Sequence, residues 1–386
     1  MFSVKTFRAL VALGVLSGLA FSAQAGWFDL NLPQGVTPIS KQAYSLHMLI
    51  LWICVAIGVV VFGAMFISMY SHRKSLGVEP AHFHHSTFAE IMWTAIPFLI
   101  LVVMAVPATK ALVMMEDSSE AEMTVKVTGY QWKWRYDYIE DNVSFYSNLA
   151  PASRNVIFQK DLEANNAARP EDYLLNVDRE VVLPTKTKVR LLLTSDDVIH
   201  AWWVPMLGQK KDAIPGYINT IWTYIEEPGV YRGQCAELCG KDHGFMPIVV
   251  NAVPADDYKA WVDEQHEAKR AAALAEQEAL NRDWALDELM SKGKEIYAAN
   301  CAGCHQLDGK GQPPTFPAIA GSKIATGPKD AHVQLVVYGS QKNTMMAAFG
   351  PSLNNLEIAA VLTYQRNSFG NSTGDVVQPK DVKAAR

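Results

Sequence analysis

Two short stretches carry residues suited to metal chemistry. The first, "CAELCGKDHGFM" from Cys235 to Met246, gathers two thiols, an imidazole and a thioether within one loop-sized segment. A disulfide needs only the first two, and a tetrahedral zinc site has little use for a thioether. Soft ligands of this kind select copper(I), zinc or iron–sulfur clusters, and imidazole suits copper well. A second imidazole, His200 in "DDVIHAWWVP", sits at a strand end whose alternation aims it at the same rim. Two thiolates, two imidazoles and a thioether are too many for one tetrahedral ion but suit two coppers sharing both sulfurs.

The second stretch, "CAGCH" from Cys301 to His305, matches C-x-x-C-H, the attachment signature of a c-type haem. The spacing lets each thiol form a thioether to one vinyl group and holds the adjacent imidazole beneath the iron. The sixth ligand is expected downstream in "TMMAAFG", where Met345 and Met346 both offer a thioether. A methionine opposite histidine raises the reduction potential, as electron-transfer cytochromes require. The segment resembles the Met-Pro-Ala-Phe-Gly stretch of small class I cytochromes c. Counted back from Phe349, Met346 matches the ligand position, and Ala347 stands where proline is usual.

Several elements must position these groups. At 386 residues the chain has room for two or three domains. Lys5 and Arg8 precede an apolar stretch, Ala9 to Phe21, and Ala23-Gln24-Ala25 supplies a small-x-small cleavage pattern, so residues 1–25 read as a signal peptide. Leu46 to Tyr70 and Ile91 to Thr109 contain no charged residue, and each can cross roughly 30 Å of hydrocarbon as a helix. A membrane hairpin over residues 26–115 is expected, with spans near 46–70 and 91–112. Arg73, Lys74 and four histidines lie between the spans and favour the cytoplasmic side, which leaves everything after Lys110 outside. Cys54, within the first span, reads as a small apolar residue.

From residue 120 to about 255 the pattern is short strands bounded by glycine, proline and aspartate. "KTKVRLLLTS" alternates with period two, as a half-buried strand does. A sandwich or barrel follows, with the polar, proline-broken stretch 150–170 as an excursion from it. Residues 256–283 are Ala/Glu-rich and read as a solvated helical linker. A helical module is expected over 284–370, and 371–386 reads as a frayed, flexible tail. The formal charge of −5 and pI near 6.1 supply no basic stripe for nucleic acid. The mean hydropathy of +0.03 is explained by the apolar runs.

With these residues in view, the chain resembles subunit II of haem-copper cytochrome c oxidases. The likeness runs from the hairpin through "GYQWKWRYDY", "DDVIHAWWVPMLGQKKDAIPGYIN" and "GQCAELCGKDHGFMPIVV", covering most of residues 40–255. Joined to the cytochrome c-like segment, the whole resembles the caa3-type variant. The resemblance implies a cupredoxin-like Greek-key barrel beside an all-α class I cytochrome c domain. It also implies a binuclear Cu(A) centre bridged by Cys235 and Cys239. His200 and Met246 would complete one copper; His243 and the Glu237 carbonyl would complete the other. The Glu237 side chain would hold a magnesium ion at the boundary with subunit I. Trp132 would be where electrons come in, and Glu90 the acid at the mouth of a proton path into subunit I. His82, His84 and His85 receive no role.

The implied function is electron acceptance for a proton-pumping terminal oxidase in a bacterial inner membrane, with both soluble domains on the periplasmic side. The implied partners are subunit I with its haem and Cu(B), subunit III, and a soluble or membrane cytochrome c donor. Other readings fit less well. A copper chaperone or thiol oxidoreductase has no need of Met246, two spans or a fused haem signature. A nitrous oxide reductase needs a large further copper domain, and quinol oxidases lack the copper ligands.

Overall fold

The long apolar runs become two helices that extend beyond them. The computed structural model describes residues 31–79, 84–158, 169–340, 342 and 346–386. The expected signal peptide, His82 and Met345 lie outside the described residues. Helix α1 runs Pro38–Ser71 and α2 runs Thr87–Glu116; both are long and apolar enough to cross a membrane, with mean hydropathies of 2.8 and 2.3. At 1.5 Å per residue they span about 51 and 45 Å, longer than the roughly 30 Å of hydrocarbon. The surplus is used at the ends. Thr37 caps α1 by accepting from Ser40 N–H at 3.0 Å, and Pro38 starts the helix without an unmet donor.

That cap is buried in the domain that follows. Thr37 Oγ1 donates to Leu207 O at 2.9 Å, Val36 N–H to Met206 O at 3.0 Å, and Glu226 N–H to Val36 O at 3.1 Å. Gly208 has φ +81°, and a Cβ there would stand 2.5 Å from Ser40 Cα, so only glycine permits the approach. The last carbonyls of α2, left over by helix geometry, also find partners. Trp222 Nε1 donates to Met114 O at 3.0 Å, and beyond the helix Lys188 Nζ donates to Ser119 O at 2.6 Å. Both outer ends of the hairpin are thus fastened to one β-domain.

That domain contains β1 Met123–Tyr130, β2 Lys133–Tyr138, β3 Val143–Ser147, α3 Pro151–Phe158, β4 Val181–Pro184 and β5 Lys188–Ser195. It continues with β6 His200–Trp203, β7 Lys210–Ala213, β8 Asn219–Tyr224, β9 Gly229–Cys235 and β10 Pro247–Val253. Two five-stranded sheets form, in the orders β3-β2-β1-β5-β8 and β4-β10-β9-β6-β7. The β5 alternation read from the sequence is the observed one, with Val189, Leu191 and Leu193 buried and Lys188 and Arg190 turned outward. Val125, Val127, Trp134, Trp202, Ile248 and Val250 fill the space between the sheets. This is the expected cupredoxin-like architecture.

The chain divides into two compact units, one ending at Tyr258 and the other beginning at Lys259. Helix α4, Ala255–Leu280, starts in the first. The second unit contains α5 Leu286–Asn300, α6 Ala302–His305, α7 Lys329–Tyr338, α8 Asn355–Arg366 and α9 Pro379–Ala385. In α5, a Cβ on Gly293 would lie 2.1 Å from Ala360 O, so the missing side chain lets α5 and α8 meet backbone to backbone. Tyr297, Tyr364 and Phe369 pack edge and face around that crossing, with centroids 4.9–5.6 Å apart.

One expectation needs correction. Residues 371–386 are not a frayed tail: Val377 and Val382 are fully buried, and α9 carries Val382 and Ala385 into the cluster of Val333, Val336, Val337, Ile358 and Leu362. The polar composition concealed this, because two valines and an alanine suffice to fill the groove they occupy.

Candidate metal centre

The metal-type donors come from the start of β6, the end of β9 and the loop that joins β9 to β10. Strands β9 and β10 are antiparallel with Gln234 opposite Pro247, so the loop from Cys235 to Met246 is pinched at its base, where Cys235 N–H donates to Met246 O at 3.3 Å. Strand β6 lies on the other side of β9, with Trp202 opposite Cys235, and Ala236 N–H donates to Ala201 O at 3.0 Å. His200 opens β6 and is wholly buried. His243 begins a 3-10 turn, His243–Phe245, that returns the chain to Met246.

The resulting distances are short. Cys235 Sγ lies 3.8 Å from Cys239 Sγ, 3.9 Å from His200 Nδ1 and 3.4 Å from the Glu237 carbonyl oxygen. Cys239 Sγ lies 3.5 Å from His243 Nδ1 and 3.6 Å from Met246 Sδ. A disulfide would hold the sulfurs at about 2.05 Å, so both remain available as ligands. His200, Cys235 and Cys239 form a compact group that could hold a metal ion. Such a donor set suits a soft cation.

The electrostatics fit that use. The hydrogen bond between the two thiols, helped by His200 and two backbone contacts, holds the Cys235 thiol well below its ordinary value despite burial. The same bond pushes Cys239 up. The arrangement favours the thiolate at Cys235, the form that binds a soft cation.

Two residues that sequence reasoning missed support the ligands. Asp197 Oδ1 sits 2.9 Å from His200 Nε2, which leaves Nδ1 facing Cys235. Burial, the largest influence, disfavours charge on both partners, but their mutual bond together with Cys235 at His200 and the Val198 and Gln131 N–H groups at Asp197 outweighs it, holding His200 above and Asp197 below their ordinary values. A carboxylate behind a ligating imidazole fixes its tautomer and orientation. The available signal was an acid three positions before the histidine. Gly129 is the other: a Cβ there would lie 2.7 Å from His200 Cδ2, so the imidazole rests against bare backbone. Trp134 closes the pocket, its ring 5.9 Å from that of His200 and tilted by 62°.

Trp132, half-buried, lies in the β1–β2 turn and donates from Nε1 to Cys239 O at 3.2 Å, beside Gln131 Nε2 at 2.9 Å from the same oxygen. Glu237 has an exposed side chain, and neighbouring Leu238 is 78% exposed. Glu90 occupies the first turn of α2, where Ser86 caps the helix, well apart in sequence and element from the sulfur loop. A carboxylate there suits the positive end of the helix dipole.

In the helical unit, Cys301 is buried where α5 gives way to α6, packed with Tyr297, Ala302 and Val361. Cys304 and His305 end α6. His305 Nδ1 lies 2.9 Å from Pro317 O, so this nitrogen donates and Nε2 is left as the lone-pair side. Burial lowers the His305 pKa, with the Pro317 bond opposing it, and a neutral imidazole is the ligating form. Met346 packs on the cluster that contains Val336 and Val337.

Comparison with known proteins follows the same divisions. The family model described as cytochrome C oxidase subunit II, periplasmic domain, matches residues 123–253. Its transmembrane-domain counterpart matches 25–111, and the cytochrome c family matches 290–368. A probable cytochrome c oxidase subunit 2 of Rickettsia bellii is 36% identical over 263 residues, covering 68% of this chain and 93% of that protein. The mitochondrial cytochrome c oxidase subunit 2 of Glycine max is 40% identical over 62% of this chain and 59% of its own length. The crystal structure of the periplasmic domain of subunit II of cytochrome oxidase from Bradyrhizobium japonicum is 37% identical. It covers 39% of this chain and 98% of that one, with a TM-score of 0.33. The chain therefore belongs to the cytochrome c oxidase subunit II family, as a membrane subunit of a haem-copper oxidase with a cytochrome c domain fused to its C-terminal side.

Proposed function

We propose that this subunit receives electrons through a covalently bound c-type haem and a binuclear Cu(A) centre and delivers them to subunit I, where oxygen is reduced to water. The observation that carries the reading is the convergence of Cys235, Cys239, His200, His243, Met246 and the Glu237 carbonyl at one loop whose sulfurs are buried. Cys235, Cys239, His200, His243, Met246 and the Glu237 carbonyl would hold the two coppers. Cys301, Cys304, His305 and Met346 would hold the haem. When bound, these groups supply one-electron redox chemistry.

The chain's own residues do the rest. Asp197, Gly129 and Trp134 fix the His200 imidazole, while the β9–β10 pairing fixes the separation of Cys235 from Met246. Rigid ligands change little when the charge of the site changes, which favours fast transfer. The Trp132 indole, hydrogen-bonded to Cys239 O, offers a route by which an external cytochrome c could reach the site. Tethering a donor domain replaces a collision by an intramolecular encounter, at an effective concentration near the millimolar range for short linkers. Exposed Glu237 and Leu238 suit a boundary with subunit I, where Glu237 would help hold magnesium. Glu90 would serve a proton path in the assembled, proton-pumping complex, whose other partners include subunit III. The soluble domains then face the outside of a bacterial inner membrane.

Metal counting on the complex purified from membranes tests the reading. Two coppers and one covalent haem per chain, with larger subunits retained, are expected. A single ion, or a Cys235–Cys239 disulfide in the active protein, would overturn it.

A further inference from the structure

We infer that residues 371–386 form a clasp on the loop that carries Met346, with Arg386 as its positioning residue. The inference rests on the reading of Met346 as the sixth haem ligand. A thioether is a neutral, weak ligand, so its hold depends on how firmly the protein presents it.

From Met346 to Gly350, the chain leading into α8 is fixed on one side by α7. Ser340 N–H donates to Met346 O at 3.0 Å, Phe349 N–H to Val336 O at 2.9 Å, and Gly350 N–H to Val337 O at 3.0 Å. Its other side is held by one guanidinium. Arg386 donates to Gly350 O, to Leu353 O and, through Nε at 2.7 Å, to Asn355 Oδ1. A planar fork with several donors joins loop and helix start in one fixed geometry, which a flexible ammonium cannot reproduce.

Arg386 is itself held in place by contacts independent of the loop. Tyr338 Oη donates to Ala385 O at 3.0 Å and Gln334 Nε2 to the same oxygen at 3.2 Å, while Lys329 pairs with Asp381 at 2.8 Å. Gln378 locks the segment to the start of the unit by two bonds of 2.9 Å, accepting from Trp284 N–H and donating to Trp284 O. Asp375 pairs with the buried Arg366. Ala385, Met346 and Phe349 all pack against the one cluster to which Val377 and Val382 belong. To lift Met346 outward, the loop must therefore leave both its α7 bonds and a side chain anchored elsewhere.

The test uses the full chain in its purified complex. In Arg386→Ala the sulfur-to-iron absorption band should disappear at a lower temperature than in the unmodified protein. The amides of Phe349 and Gly350 should exchange hydrogen about tenfold faster or more. The haem should stay covalently attached and α5 amides should be unchanged. Arg386→Lys should fall between. Lys380→Ala, which removes only the pairing of α9 with Asp283, should leave both readouts unaltered. Unchanged loop exchange in Arg386→Ala, or an equal effect from Lys380→Ala, would overturn the clasp. Retention of the band in Met346→Ala would instead overturn the ligand assignment, leaving loop exchange to judge the clasp by itself.

Discussion

The sulfur loop of the β-domain and the haem-type segment of the helical unit use the same chemical vocabulary, yet they are held differently. From Cys235 to Met246, the loop is pinched at its base by ladder bonds among β6, β9 and β10, and His200, Cys235, Cys239 and Met246 are buried. In the helical unit, Cys301 is part of the core, while Met346 sits beyond α7 on a loop of its own. A sheet can fix all donors of a compact metal centre in advance. The helical module fixes its cysteine in the core and leaves its methionine to a loop.

Replacing one sulfur in each site should separate the two designs most strongly. Cys239→Ser removes a proposed copper ligand but none of the residues that fill the space between the sheets, so copper should be lost while the β-domain stays folded. The expected loss of copper affinity exceeds the roughly 10–100-fold that removal of an outer-shell partner costs. Asp197→Ala should show that smaller loss, because His200 keeps its place but not its orientation. Cys301→Ser should damage chemistry and fold together, since Cys301 packs with Tyr297 and Ala302. Copper analysis, haem staining after denaturation and circular dichroism distinguish these results. Equal unfolding in Cys239→Ser and Cys301→Ser would dissolve the contrast.

The two methionines sharpen it. Met246 is nearly fully buried, and Met246→Leu conserves volume, so it should cost under about 1.5 kcal/mol of stability. It should nonetheless disturb the copper spectrum and slow electron flow. Met346→Ala should abolish the sulfur-to-iron band, and Met345→Ala should not. The reverse pattern would exchange the two assignments, and an unaltered copper spectrum in Met246→Leu would remove that thioether from the centre.

Much of this was legible in the residues because metal chemistry demands particular side chains at particular spacings. The apolar runs announced α1 and α2, and strict alternation announced β5. Less legible were groups whose role comes from three-dimensional proximity. Gly129 is an ordinary strand glycine until His200 is seen against it, and Asp197 is one of two adjacent acids, either of which could have faced solvent. The segment 371–386 was misread because its composition is polar. Its buried valines, Val377 and Val382, lie five apart around the buried Pro379 and show neither helical nor strand periodicity as a set. The helix ends also exceeded the apolar runs, since capping by Thr37 and Ser86 operates outside the hydrophobic stretch.

The smallest expected effect concerns buried imidazoles. In the β-domain, His200 is paired with a carboxylate. In the helical unit, His332 is buried beside Gln365 and Arg366, and burial first, then the Arg366 charge, takes its pKa down to about 4. Being neutral when folded and free to take a proton when unfolded, His332 contributes stability that is fully present above about pH 6.5. That contribution is lost as pH falls toward 4, and its size is at most about 3.5 kcal/mol. Asp375, paired with Arg366, and Asp381, paired with Lys329, are both held low, so their contributions fade below the ordinary carboxylate range. Between pH 4 and 6.5 His305, also lowered by burial, titrates in both proteins, so the comparison with a His332 variant isolates His332. Thermal unfolding of the helical unit followed across that interval should show a decline in the unmodified protein and a flatter profile in His332→Gln. Parallel profiles would mean that His332 gains its proton without cost to the fold, and that the two units do not differ in how they treat a buried imidazole.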